Sequence, residues 1–178
     1  MKNKALSALI IVFLLLLSAC TRDTAGFFDY QKAVSRLDGI LCFDGCEYGV
    51  IMEFKNIGEE TLTKQCRRIE YTSPKEVSGL VFERTGDGVT AALPDISIPA
   101  DHLDCERIFF LEKLFSLNEE DLYSISAKKD GTTVGQGKNG ECMWQVTTGK
   151  DGLPTNIVYE GSFGEIELKI EKLYQQKQ

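Results

Sequence analysis

Six dipeptides punctuate the chain: Asp-Gly at 38–39, 44–45, 87–88, 130–131 and 151–152, and Asn-Gly at 139–140. The two central residues of the tightest hairpin turns must tolerate positive φ, which Asn, Asp and Gly do at least cost, so these pairs predict hairpins. The segments between them alternate. Glu47–Lys55 sets Tyr48, Val50, Met52 and Phe54 on one face, Glu141–Thr147 does the same with Cys142, Trp144 and Val146, and Gly164–Glu171 opposes Ile166, Leu168 and Ile170 to Glu165, Glu167, Lys169 and Glu171. Period two leaves one dry face and one wet face, the pattern of an antiparallel sheet. Further strands are expected near Arg67–Tyr71, Gly79–Arg84, Val89–Leu93, Leu122–Lys128 and Asn156–Glu160.

One segment departs from alternation. From Asp101 to Leu117, Ile108, Leu111, Leu114 and Phe115 recur at helical spacing, and Phe110 and Leu117 widen the stripe. Pro99 precedes it, and Asp101 with Asp104 resembles a capping pair. A wide aromatic face needs a large apolar partner, and the sheet is the one available. The expected fold is mainly β (α+β): an antiparallel half-open β-barrel wrapped on one amphipathic helix.

Motifs that would carry chemistry are few. Gly135-Gln-Gly137-Lys-Asn-Gly140 matches GxGxxG, but a dinucleotide site needs a helix after it, and the strand-like ECMWQV follows instead. A turn is the better reading. Asp101, His102, Asp104 and Cys105 sit where a helix start wants acids, and His102 is the sole histidine, so no metal site, cofactor or catalytic residue is assigned. The expectation is that the protein is not an enzyme.

The first 20 residues supply an address. Lys2 and Lys4 precede an apolar run, Ala5–Leu17, that is short for a membrane span and suits a secretory signal. Leu17-Ser18-Ala19-Cys20 looks like a bacterial lipobox, which makes Cys20 the lipidated residue (diacylglyceryl, with palmitate-type chains) and residues 1–19 a removable signal peptide. Two chains hold durably at about 0.8 kcal/mol per buried methylene. The expected layout is therefore 1–19 signal, 20–32 lipidated cysteine and linker, and 33–178 a single domain, held on the extracytoplasmic face of the cell membrane. Removing 19 of 178 residues takes two lysines with it, so 18 basic residues remain against 27 acidic ones, a net charge of −9. That acidity makes nucleic acid an unsuitable partner. Besides Cys20, the mature chain keeps Cys42, Cys46, Cys66, Cys105 and Cys142. Cys42 and Cys46 are a candidate disulfide: a three-residue loop ending in Gly45 sets them opposite each other, whereas a two-residue Asp44-Gly45 turn sends Cys42 to the other face.

The order of elements resembles a known family. A first hairpin (Leu37–Phe54), a strand into Thr72-Ser73-Pro74, the stretch Val77-Ser-Gly-Leu-Val-Phe82, a strand after Asp87-Gly88, an amphipathic helix and a last strand pair around Asp151-Gly-Leu-Pro154 look like the small Gram-positive, clostridial-type lipoproteins with the outer-membrane lipoprotein-carrier (LolA/LolB-like) fold. The resemblance covers most of residues 33–173. It implies a concave sheet that holds acyl chains, with Tyr48, Val50, Met52, Phe54, Trp144, Ile108, Leu111 and Phe115 as candidate cavity lining. The expected function is binding of an apolar ligand, a lipid or a lipoprotein. The alternative is a non-enzymatic lipoprotein that docks and supports another cell-envelope protein, such as a cell-wall hydrolase.

Overall fold

The computed structural model describes residues 26–56, 64–85, 88–94, 96–99, 109–162 and 164–175. The signal segment, Cys20, the 101–108 part of the expected helix, His102 and Cys105 lie outside them. A five-residue helix, α1 (Asp29–Ala33), leads into β1 (Val34–Phe43), β2 (Cys46–Asn56), β3 (Lys64–Ser73), β4 (Val81–Thr85), β5 (Gly88–Leu93) and β6 (Ile96–Pro99). Two 3₁₀ turns, Phe110–Phe115 and Glu119–Asp121, precede β7 (Leu122–Ala127), β8 (Thr133–Asn139), β9 (Cys142–Thr148), β10 (Pro154–Gly161) and β11 (Gly164–Gln175).

All eleven strands form one sheet in the order β6-β5-β4-β3-β2-β1-β11-β10-β9-β8-β7. Every ladder is antiparallel. Two meanders are thus stitched together by their terminal strands, with β1 and β11 side by side at the middle. The alternation read from the sequence becomes continuous apolar rows. Leu37 faces Met52, which faces Ile69, which faces Phe82, which faces Ala91. On the other wing Leu41, Leu168, Ile157, Val146 and Gly135 align in the same way. Because side chains alternate strictly, one register serves the dry face and simultaneously builds the wet one. Across that wet face Lys169 bridges Glu47 at 3.0 Å, and Arg68 reaches Glu53 at 3.6 Å and Glu70 at 2.7 Å.

The turns follow the dipeptides in part: Asp87 lies outside the described residues, and Gly88 is already in β5, paired with Thr85. Asp44 (φ 50) and Gly45 (φ 73) close β1 onto β2 as a two-residue turn. Asp38-Gly39, expected as a turn, instead lies inside β1 at a bulge against β11. A Cβ on Gly39 would stand 2.5 Å from the Lys169 carbonyl oxygen, so the glycine serves a close approach of two backbones. In the β8–β9 hairpin Asn139 pairs with Cys142, which moves the turn one residue on, to Gly140-Glu141.

The single wrapped helix is not what covers the dry face. The described part of that segment contains the 3₁₀ turn Phe110–Phe115 and no α-helix. Phe109, Phe110, Leu111, Leu114, Phe115 and Leu117 are all buried. The topology gives the reason: β6 and β7 are opposite edges of the sheet, and the described stretch Phe109–Leu117 between them is packed on the dry face. A strap buried at consecutive positions on several sides does not keep the one-sided stripe of a surface helix, and consecutive Phe residues favour helix only weakly. A polar cluster at Glu112 helps to fix the strap. The Glu112 carboxylate accepts from the Cys66 backbone N–H at 3.1 Å and from Arg84 Nη2 at 3.0 Å. The Arg84 guanidinium in turn lies 4.4 Å from the Phe109 ring centroid. α1 adds Tyr30, whose ring meets Phe115 edge to face, and Phe28 just before it meets Trp144 in the same manner.

Candidate functional site

The residues expected to line a cavity on the dry face are mostly brought together, but as packed core. Val50, Met52, Phe54, Trp144, Leu111 and Phe115 are each less than a tenth exposed. Phe54 and Phe115 have ring centroids 4.7 Å apart, so the strap occupies the space that a ligand between these residues would need. Ile108 lies outside the described residues. Tyr48 has a different situation, at the rim of an opening that the strap does not reach.

That opening lies at the hairpin end of β1–β4. A cavity of about 300 Å³ is lined by Leu41, Phe43, Tyr48, Tyr71, Val77, Leu80 and Phe82. The inward faces of β1 to β4 supply five of these side chains, and the loop from Pro74 to Leu80 folds back to supply Val77 and Leu80. Two backbone bonds hold that loop: Tyr71 N–H donates to Leu80 O at 2.9 Å, and Gly79 N–H to Tyr71 O at 2.8 Å. Gly79 adopts φ 85, which favours glycine, so the fold-back depends on this residue. The rings form a chain, Tyr48 to Tyr71 at 6.1 Å and Tyr71 to Phe82 at 6.3 Å, both edge to face.

The pocket carries no charge at neutral pH. The Cys46 thiol beside Tyr48 raises its phenol above the ordinary range, and burial does the same for Tyr71. Both hydroxyls therefore stay protonated. Phe43 at the mouth is 39% exposed, which leaves an apolar ring facing solvent at the entrance. The arrangement can take up an apolar group among its aromatic and aliphatic side chains.

Sequence reasoning reached Tyr48 and missed Tyr71, Leu80 and Phe82 as site residues. Their signal was present: the strand near Arg67–Tyr71 and the Val77–Phe82 stretch are both expected elements, and the register of β2 to β4 together with the loop's fold-back makes them neighbours. A second void, of about 460 Å³, lies between α1 and the end of the strap, beside Gln31, Lys32, Leu117 and Glu119. Gln31 Nε2 donates to Leu117 O at 3.3 Å, which ties the strap to α1 there.

The cysteines are unbridged among the described residues: Cys42, Cys46, Cys66 and Cys142 are free thiols. The two-residue turn pairs Phe43 with Cys46 and Cys42 with Glu47, so the candidate Cys42–Cys46 bridge is not formed and the two thiols lie on opposite faces. Cys42 Sγ donates to Glu47 Oε1 at 3.7 Å on the wet face. Burial holds the Cys66 thiol up at about 12. The GxGxxG stretch lies in β8 and its turn. Gly135 and Gly137 face inward, where a Cβ would collide with the rings of Phe27 and Trp144 respectively, so these glycines make room for aromatic packing.

No known family matches the sequence. No curated protein matches it either. Among solved structures, the chain is similar to MucB in complex with MucA(peri), with 11% identity and a TM-score of 0.46 over 87% of this chain and 56% of that one. A Pseudomonas aeruginosa MucA/MucB complex gives 13% identity and a TM-score of 0.42, covering 85% of this chain and 55% of that one. The chain thus spans about half the length of MucB. The Mycobacterium tuberculosis lipoprotein LppX gives 15% identity and a TM-score of 0.41, covering 84% and 92% of the two chains. LprF from Mycobacterium bovis gives 8% identity and a TM-score of 0.44, covering 85% and 90%. None of these likenesses says what this chain binds.

Proposed function

We propose that this protein is a lipid-anchored, extracytoplasmic binding protein that holds one apolar group in the aromatic pocket at the hairpin end of the sheet. The observation that carries the reading is the pocket itself: about 300 Å³, lined by three aliphatic and four aromatic side chains, with an exposed Phe43 at its mouth. That volume is at the lower end of small-molecule sites. It suits one acyl tail segment or one aromatic ring, and not a whole lipid. The anchor on Cys20 rests on the agreement of n-region, apolar run and lipobox. It places the domain on the outer side of the cell membrane, where such apolar groups are presented by lipids and by lipidated proteins.

The reading is tested on the soluble domain, residues 21–178, by native mass spectrometry and thermal melting with palmitate and with a lysophospholipid. A one-to-one adduct and a raised Tm are expected, and both are expected to be lost in Leu80→Glu, whose side chain would put a charge into the pocket. Absence of any adduct together with an unchanged Tm overturns the reading. Retention of the adduct by Leu80→Glu moves the ligand to another site and overturns it equally.

A further inference from the structure

We propose that the wet face of the sheet carries a separate saccharide-binding site in the corner formed by β7 to β11. A cavity of about 340 Å³ opens there, with Tyr123, Gln136, Met143, Gln145, Glu160 and Glu165 among its lining. It faces away from the pocket described above and does not depend on it.

The strand registers place these groups in two adjacent rows. Lys138 pairs with Met143, Met143 with Glu160, and Glu160 with Glu165. One row further along, Gln136 pairs with Gln145, and Gln145 with Val158. Tyr123 comes from the bulge between Leu122 and Ser124 in β7, a local irregularity of the kind that re-aims a side chain. Two of the five large hydrophobic side chains exposed among the described residues thereby meet at one cavity: Tyr123 is 52% exposed and Met143 43%.

The corner combines two facing carboxylates with a bonded pair of amides. Several wet-face carboxylates are matched by cations, as Glu47 and Glu167 are by Lys169 and Glu53 and Glu70 by Arg68. Glu160 and Glu165 stand directly opposite each other across β10 and β11, and among the described residues no cation lies within ion-pair distance of either. Like charges directly opposite on neighbouring strands are unfavourable for the sheet. The two amides are already oriented, because Gln136 Nε2 donates to Gln145 Oε1 at 2.9 Å. That bond leaves the Gln136 carbonyl oxygen as an acceptor and the Gln145 NH₂ as a donor, beside carboxylates that accept only.

A hydroxyl-rich, uncharged ring answers each of these features. Its hydroxyls donate to the carboxylates and to Gln136, and accept from Gln145. The electron-rich face of Tyr123 attracts the slightly positive C–H groups of a pyranose face. A phosphate or other anion is excluded by the two carboxylates. A metal ion would need more ligands than the corner offers, since no three His, Cys, Asp or Glu side chains group together among the described residues.

The test uses the soluble domain, residues 21–178, uniformly ¹⁵N-labelled. Chitotetraose and maltotetraose are the probes, and spermidine at matched ionic strength is the competing cation. Either sugar is expected to shift the side-chain amide resonances of Gln136 and Gln145 saturably. The same shift is expected to need at least tenfold more sugar in Tyr123→Ala and in Glu160→Gln, and Glu160→Gln, which relieves the like-charge pair with Glu165, is expected to keep or raise Tm. The proposal is overturned if neither sugar shifts these resonances, if spermidine shifts them and the sugars do not, or if both variants respond as the parent does. Loss of Tm in Tyr123→Ala is handled by Glu160→Gln, an isosteric change on an exposed side chain.

Discussion

Gly137 and Trp144 show how little of a sheet protein's logic is local. The glycine looks like part of a phosphate-binding loop, yet its missing Cβ makes room for the Trp144 ring, the side chain directly opposite it in the register. Gly137→Ala is expected to destabilise the domain by about 1–3 kcal/mol, since the ring is buried and cannot move aside; urea denaturation measures it. Gly45→Ala, with open space around the Cβ but φ 73, should cost about 1–2 kcal/mol from backbone strain alone. Cys66 gives a pH signature. Its thiol is held up from an ordinary 9.0 to about 12 by burial, so the folded state keeps a proton that the unfolded state releases first. Stability from this group is full below pH 9 and is lost as pH rises towards 12, at up to about 1.4 kcal/mol per pH unit. Denaturant midpoints of Cys66→Ala should fall less steeply over that window than those of the parent, and a thiol reagent should label exposed Cys46 long before Cys66. Residue-level chemistry was readable where it followed from local spacing: the turn at Asp44-Gly45, the dry faces of β2, β9 and β11. It was unreadable where partners are set by register, as with Gly39, Gly137 and the separation of Cys42 from Cys46.

Among the elements, the strap from Phe109 to Leu117 carries the largest departure from what its sequence predicts. Its apolar residues read as a helix because Ile108, Leu111, Leu114 and Phe115 fit that period, but the period says nothing of what must be crossed. The requirement to run from one sheet edge to the other appears only once the strand order is known. β6 and β8 were overlooked for a related reason: four residues are too few to show a period, and Thr133–Asn139 is interrupted by two glycines. Most of the strap's stability comes from burial, so Leu114→Ala should cost about 2–5 kcal/mol. Glu112→Ala acts differently, because it leaves Arg84 and the Cys66 amide without their acceptor. A cost near 2 kcal/mol is expected, with faster hydrogen exchange at the Cys66 amide and at the strap while β9–β11 keep their protection. Uniform loss of protection would show that the strap and the sheet unfold as one unit.

At the scale of the whole molecule, the seam between β1 and β11 makes the first and last strands of the domain each other's neighbours. Leu37 and Leu41 on one side and Leu168 on the other are fully or nearly fully buried along it, so neither strand is dispensable. Deletion of residues 164–178 is expected to leave the remainder unfolded by circular dichroism, and amide exchange should be slowest along this seam. Pairing ends that far apart in sequence also predicts slow folding, in milliseconds to seconds rather than microseconds. The seam further makes the molecule directional. Val34 pairs with Gln175, so chain entry and chain exit share one pole, while Phe43 and the aromatic pocket lie about 30 Å away at the opposite pole, nine strand residues on. If the proposed anchor at Cys20 moors the domain by its entry pole, the opening points outward like a buoy's lamp, and an apolar group held there would have to be carried round the molecule to reach the bilayer.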